Sequence, residues 1–479
     1  MPRSAVVETV TGTTMAELRA ARDRARGDMV ELRMDGVADL DVAGALEGRR
    51  LPVIFTCRAA WEGGRFDGSE AERLRILGDA IRAGAEYVDV EWKAERRGLP
   101  SGLGQIVLSH HDFSTTPDDL ADRVQAMLAE HPDVLKVSVM ASRLADCVTL
   151  RDVTRLDVPH VAIAMGSAGQ VSRLCPSLFG SLWTYGGTAA PGQASPADLI
   201  DLFRVGSQTP STAVYGIAGL PLGHSASPAM HNAAFAALGI DAVYLPFPTA
   251  DADELLQVAE AFGVQGMSVT APLKTDIAAR VAADDELARE IGSVNTLRRT
   301  AGGWAARNYD VAGFLAPFDT RRHALDGQCV TVLGAGGSAR TAAFALRSRG
   351  ARVSIAARRA DRAAALAAEL GALAVAWPPA PGWDLLVNTT PVGTWPEVEA
   401  APIDRADVRG GAVYDLIYNP EETRLLQWAR EAGAVTIGGL EMLVGQAALQ
   451  FEWWTGRAAP TDIMMAAARA LVRRTQGYV

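Results

Sequence analysis

The chain of 479 residues has few cysteines: Cys57, Cys147, Cys175 and Cys329 lie scattered, with no CxxC pair and no metal-ligand spacing. That argues against a disulfide framework and structural zinc, predicts no metal, and fits a reducing, cytoplasmic compartment. A dense basic cluster is also missing and the net charge is −10, so neither nucleic acid nor an anionic membrane is an expected partner. No apolar run is long enough to span a bilayer, and the start, 1–7, lacks a signal-peptide core. The chain is too long for one core, which predicts two or three domains.

What is present first is alternation. Short β-like runs fall at 5–10, 29–34, 53–57, 87–92, 105–109, 134–140, 160–165 and 182–185. Amphipathic stretches such as 14–26, 69–83, 117–130 and 143–152 lie between them, and 196–205 follows the last. Strand then helix, eight times in some 200 residues, predicts an α/β fold beginning with a (β/α)8 TIM barrel over 1–205. Two smaller doubly wound domains are the alternative, but this half has no Gly-rich phosphate loop. Chemistry in such barrels sits at the C-terminal strand ends. There the chain places Glu31, Arg33 and Asp35; Arg58; Asp89 and Glu91; Ser109, His110, His111 and Asp112; Lys136; Arg173; and Gln193.

Lys136 stands out because it interrupts the apolar run Val134-Leu-Lys-Val-Ser-Val-Met140. A lysine in a buried strand must find a partner, reach a cavity or lose its proton. A desolvated amine suits attack on a ketone; a structural lysine paired with a carboxylate is the alternative. The bland readings of its neighbours are an ordinary Glu31–Arg33 ion pair, a surface or supporting histidine at 110 or 111, and a helix-capping Arg173.

The polar stretch 206–212 reads as a linker. Beyond it, Val330-Thr-Val-Leu-Gly334-Ala335-Gly336-Gly337-Ser338-Ala339-Arg340 runs from an apolar strand into a helix. This is a dinucleotide fingerprint, with alanine at the third small position. The next strand ends in Arg358-Arg359 where NAD enzymes carry an acid, which favours the 2′-phosphate of NADP. Two solvated arginines opening a helix are the alternative. Ser225, Ser227, Thr270, Lys274, Asn295 and Asp310 lie in loops ahead of the fingerprint. They suit a polyhydroxylated substrate, or else turns and caps; Ser227-Pro228 looks like an N-cap followed by proline at the first helical position.

The first half resembles type I 3-dehydroquinate dehydratase. The resemblance is carried by Glu31-Leu-Arg-Met-Asp35, Thr56-Cys-Arg-Ala-Ala-Trp-Glu-Gly-Gly64, Ser109-His-His-Asp-Phe113, Leu135-Lys-Val-Ser-Val-Met140, Ser172-Arg-Leu174 and Ala190-Pro-Gly-Gln193. It implies a Lys136 imine, His111 as general base and acid, Glu91 orienting His111, and Glu31, Arg33, Arg58, Arg173 and Gln193 around the substrate. Position 189 is alanine where the family usually has serine. The second half resembles shikimate dehydrogenase through Gly219-Leu-Pro-Leu-Gly-His-Ser225-Ala-Ser227-Pro228, Gly266-Met-Ser-Val-Thr270-Ala-Pro-Leu-Lys274, Asn388-Thr-Thr-Pro-Val-Gly393, Tyr414-Asp-Leu-Ile-Tyr-Asn-Pro420 and Gly438-Gly-Leu-Glu-Met-Leu-Val-Gly-Gln446. That implies Ser225 and Ser227 on the carboxylate, and Thr270, Asn295, Tyr418 and Gln446 around the ring hydroxyls. Lys274 and Asp310 become the reacting dyad, with Thr390, Val392 and Gly439 near the nicotinamide of NADPH. Many bacterial members have asparagine where this chain has Ser268, a change that bears on discrimination between shikimate and quinate.

Together the resemblances imply successive conversion of 3-dehydroquinate to 3-dehydroshikimate and then to shikimate. They imply domains at 1–205, 213–316 with 440–479, and a Rossmann-type NADP domain at 317–439, in a monomer or homodimer. A lysine imine enzyme of the aldolase type, a preference for quinate or NAD, and a decayed half serving as scaffold are the competing readings.

Overall fold

The computed structural model describes residues 3–475, apart from 97, 101, 191, 224 and 410, and residue 477. Pro191 and His224, each part of a motif above, thus lie outside the described residues. The chain forms two compact units, one of Met1–Leu222 with Asp241–Gln265, the other of Gly223–Ile240 with Gly266–Val479.

In the first unit the eight expected strands form: β1 Ala5–Thr11, β2 Met29–Arg33, β3 Val53–Thr56, β4 Tyr87–Glu91, β5 Gln105–Asp112, β6 Val134–Met140, β7 His160–Met165 and β8 Trp183–Gly186. Each pairs in parallel with the next from β1 to β7, and β1 also pairs with β8. Across the β7–β8 seam, the Leu182 N–H donates to His160 O at 2.9 Å. The strands obey a period of two. Val30, Leu32, Phe55, Val88 and Val90 belong to one apolar cluster with the helix residues Ile76, Leu77 and Ile81. Met29, Ile54, Val107, Val134, Ile163 and Trp183 form a second cluster. On β2, β3, β5 and β6 the residue two positions after this second set is polar: Glu31, Thr56, Ser109 and Lys136. Each of these strands therefore reads apolar low and polar high on one face.

The same unit holds the parallel pair β9 Ala213–Gly219 and β10 Ala242–Pro248. The helix Ala252–Ala261 belongs with them and packs on the helix Leu144–Val153. Arg151 donates to Ala261 O and lies over the Phe262 ring. Gln208, in the expected linker, is buried and donates to Leu174 O and Phe203 O.

The second unit contains the antiparallel set β11 Gly266–Val269, β12 Thr296–Thr300 and β13 Gly303–Arg307. It also contains a six-stranded parallel sheet in the order β16-β15-β14-β17-β18-β19. These strands are β14 Cys329–Leu333, β15 Arg352–Ala356, β16 Leu373–Val375, β17 Leu385–Asn388, β18 Ala412–Asp415 and β19 Val435–Gly438. The order reverses at β14, where a doubly wound sheet binds its dinucleotide. Among the described residues no helix is long and apolar enough to cross a membrane.

Candidate active sites

Lys136 sits mid-strand on β6 beside Ser109 of β5 and is 4% exposed. Its Nζ lies 2.9 Å from Asp89 Oδ2, 3.8 Å from Glu31 Oε1 and 4.4 Å from the Tyr185 ring centroid. Burial disfavours its charge, but Asp89, Tyr185 and Glu31 outweigh burial and hold the ammonium above the usual lysine range. The lysine has therefore found partners and a cavity together. It is a protonated amine whose proton already points at a carboxylate, rather than the neutral amine that burial alone would make.

His111 lies on the extension of β5 past its expected end, in register with Ser138. Its Nδ1 is 3.0 Å from Glu62 Oε2, and Phe113 stacks on the ring at 5.9 Å. Burial and then Arg58 push the imidazole down to about 4, against the pull of Glu62. Burial works against the Glu62 anion, but the neighbouring His110 and His111 imidazoles and the Arg58 guanidinium bring it down to about 2. A neutral histidine beside a carboxylate donates from Nδ1, which leaves the Nε2 lone pair for a substrate proton.

Glu91 was the expected partner of His111, and here the structure corrects the sequence. Glu91 Oε1 accepts from the Ala59 N–H and Arg58, while Oε2 accepts from Arg73 at 2.6 Å. Glu62 takes the place instead, from the short turn Ala60–Glu62. Two glycines allow this: Gly63 has φ +77, and a Cβ on Gly64 would meet Arg58 O at 1.9 Å. Glu62 was present in the quoted stretch 56–64, but only the fold-back of that loop reveals its partner.

The cavity between these groups measures about 80 Å³ and is lined by Lys136, His111, Glu62, Glu31, Arg33, Arg58, Arg173, Gln193 and Ala189, among others. Arg33 makes a two-pronged ion pair with Asp35 at 2.9 and 3.0 Å, rather than with Glu31. Arg58 joins Asp89, Glu91, Glu62 and Ser109. Arg173 is 2% exposed and burial lowers it to about 10. Gln193 Oε1 accepts from the Ala190 N–H.

In the second unit Lys274 Nζ meets Asp310 Oδ2 at 2.5 Å. Asn295 Nδ2 donates to Asp310 Oδ1 and to Gln446 Oε1 at 2.9 and 3.0 Å. Lys274 opens one short helix and Asp310 opens the helix Asp310–Arg321. Ser227 is the first residue of its helix rather than the cap; the N-cap is Ala226, and Ser225 Oγ accepts from the Ser227 N–H. Thr270 lies in the turn ahead of Lys274, where its carbonyl accepts from the Leu273 N–H at 3.0 Å.

The dinucleotide turn follows β14. Gly334 has φ +115, and a Cβ there would meet Thr389 Oγ1 at 2.5 Å; a Cβ on Gly336 or Gly337 would meet nothing. The helix Gly337–Ser348 begins there, with Ala335 before it and Ala339 fully buried within it. An open glycine turn at a helix N-terminus fits a pyrophosphate. Arg358 and Arg359 follow β15 and are exposed. A second cavity of about 320 Å³ is lined by Ser338, Thr390, Tyr418 and neighbours. Thr390 is pinned by Asn388 Oδ1, and its Oγ1 accepts from the Val392 N–H. Gly439 lies too close to Leu416 O and Ile417 O to carry a side chain. Among the described residues no group of His, Cys, Asp or Glu is placed to hold a metal ion.

Residues 6–210 match the Type I 3-dehydroquinase family. Residues 217–297 match the shikimate dehydrogenase substrate binding domain, and 439–469 the shikimate 5'-dehydrogenase C-terminal domain. Over 476 residues the chain is 34% identical to the bifunctional 3-dehydroquinate dehydratase/shikimate dehydrogenase of Arabidopsis thaliana, covering 91% of this chain and 79% of that protein. It is 44% identical over 284 residues to the NADP(+) shikimate dehydrogenase of Anaeromyxobacter sp. (strain Fw109-5), covering 56% of this chain and 99% of that protein. The solved shikimate 5-dehydrogenase of Thermus thermophilus, in complex with NADP(H) and shikimate, matches with a TM-score of 0.50 and 36% identity, covering 54% of this chain and 99% of that one. Because the Arabidopsis protein aligns through both halves rather than one, the chain belongs to the bifunctional 3-dehydroquinate dehydratase/shikimate dehydrogenase family.

Proposed function

We propose a division of labour in which the first unit dehydrates 3-dehydroquinate through Lys136 and the second reduces 3-dehydroshikimate through Lys274 and Asp310. The observation that carries the first part is the convergence of Lys136 and the Glu62–His111 pair on one cavity. Asp89 takes a proton from Lys136, and the amine adds to the ketone carbon. Loss of water then gives a protonated imine, an electron sink that acidifies the adjacent C–H. His111 removes that proton through Nε2 and returns it to the departing hydroxyl, so one group serves as base and then acid. Arg173 holds the substrate carboxylate; Arg33, Arg58, Gln193 and Glu31 contact its remaining oxygens. Hydrolysis of the imine releases product and restores Lys136.

In the second unit, Ser225 and Ser227 hold the carboxylate, and Thr270, Asn295, Tyr418 and Gln446 bind the ring oxygens. NADPH, when bound, supplies hydride to the ketone carbon. Its pyrophosphate fits the turn Gly334–Ala339, its 2′-phosphate Arg358 and Arg359, and its nicotinamide the surface of Thr390, Val392 and Gly439. Lys274 donates a proton to the developing alkoxide, and Asp310 stabilises the lysine before transfer.

Borohydride added to the chain with 3-dehydroquinate tests the imine. The expected product is a substrate-mass adduct on the peptide containing Lys136. Turnover without any trapped adduct on that peptide contradicts the lysine route.

A further inference from the structure

Ser268 does not face the substrate groups alone. Its Oγ donates to Gln450 Oε1 at 2.7 Å, and Gln450 reaches the dyad through an unbroken chain. Gln450 Nε2 donates to Thr296 Oγ1 at 2.9 Å and to Asn295 O at 3.3 Å. Thr296 Oγ1 donates to Asn295 Oδ1 at 2.7 Å, and Asn295 Nδ2 donates to Asp310 Oδ1 at 2.9 Å. Gln450, Thr296 and Asn295 are 3%, 0% and 1% exposed, so water cannot substitute freely for any link.

The direction of every link follows from two backbone groups that cannot reverse. The Tyr309 N–H donates to Asn295 Oδ1 at 2.9 Å, which turns the Asn295 amide toward Asp310. Thr296 has one hydroxyl hydrogen and gives it to Asn295, so it must accept from Gln450. Gln450 also donates to the Asn295 carbonyl, so its oxygen must face Ser268. The chain therefore presents a fixed N–H donor to Asp310 Oδ1.

We propose that Gln450 is a positioning residue of the reductase: held by Ser268, it supplies from the helix Gly439–Thr455 a carboxamide that fixes the Asn295–Asp310 hydrogen bond. Ser268 and Thr296 are register partners on β11 and β12, so one amide from that helix spans both strands. This rests on the reading of Asn295 and Asp310 as parts of the reacting site.

The test uses the full chain with shikimate and NADP+, and the variants Gln450→Met, Ser268→Asn and Ser268→Asn/Gln450→Ala. NADP+ binding reports on folding of the second unit. Gln450→Met keeps the side-chain length and removes every donor. It is expected to lower kcat about tenfold, with KM changed less than about threefold. Ser268→Asn alone crowds Gln450 and loses activity, while the double variant returns to within about threefold of the parent, a non-additive result expected of contacting residues. An unchanged kcat in Gln450→Met overturns the proposal. So does a double variant no more active than Ser268→Asn. If Gln450→Met loses NADP+ binding, the double variant decides alone. Asp310→Asn separates the two readings: full reductase activity in it removes the dyad itself, whatever Gln450 does.

Discussion

The two lysines proposed to react sit in opposite environments. Lys136 has 5% of its side chain exposed, with Asp89, Glu31 and Tyr185 around it. Lys274 has 31% exposed and a short contact to Asp310. A nucleophile must be aimed at one carbon and kept from water, so a crowded, dry setting suits it. A proton donor must exchange its proton each turnover, and a half-open position beside one carboxylate suits that. Burial alone does not make a lysine neutral; here Asp89 and Glu31 are buried with Lys136 and hold its charge.

Mutations separate the two environments. Lys136→Met is expected to cost about 10,000-fold or more in dehydratase kcat while leaving reductase rates within about twofold, measured on each substrate separately. Lys274→Met is expected to cost about 1,000-fold in shikimate oxidation, because some proton transfer through water persists. Glu62→Gln is expected to lower dehydratase kcat about 100-fold by removing the anion that orients His111. Glu91→Gln tests the corrected assignment: it breaks the Arg73 and Arg58 pairs, so the thermal midpoint falls, but the acid limb that protonation of His111, at about 4, is expected to give dehydratase kcat stays in place. Loss of that limb in Glu91→Gln with its retention in Glu62→Gln reverses the correction. Arg358→Ala is expected to raise the KM for NADPH about tenfold and that for NADH less than twofold, since only the former carries the 2′-phosphate.

The smallest effect concerns pH. His111 has a folded pKa of about 4 against an ordinary 6.5. The unfolded chain therefore binds the proton first, and stability falls as pH drops from 6.5 toward 4. Glu62, brought down to about 2 from 4.5, adds a further loss below pH 4.5. His111→Phe should flatten the first part of that curve in urea titrations of the first unit. A curve unchanged above pH 4.5 contradicts a buried neutral His111.

Much of this was legible in the chain. The eight strands and the polar strand ends follow from period-two patterning, so Lys136, His111 and Arg173 could be named before any coordinates. A further signal was available: the chain has three lysines among 46 basic residues, and two of them are Lys136 and Lys274. Where arginine does nearly all the ordinary work, each lysine is a position to inspect for an amine that can lose its proton. Glu62 and Gln450 were hidden for a different reason. Glu62 reaches His111 because a glycine-dependent turn folds back across 49 residues of sequence, and Gln450 meets Ser268 across 182. Neither pairing leaves a periodic trace. The Ser227 cap was displaced by one residue because Ser225 supplies the hydroxyl from outside the helix.

The most direct test feeds the chain 3-dehydroquinate as its only carbon substrate, with NADPH, and follows conjugated product and NADPH oxidation together. The parent should consume NADPH. Lys136→Met should consume none until 3-dehydroshikimate is added, and Lys274→Met should accumulate the conjugated product with NADPH nearly untouched. NADPH consumption from 3-dehydroquinate at the parent rate in Lys136→Met would contradict the assignment of the two steps to two lysines.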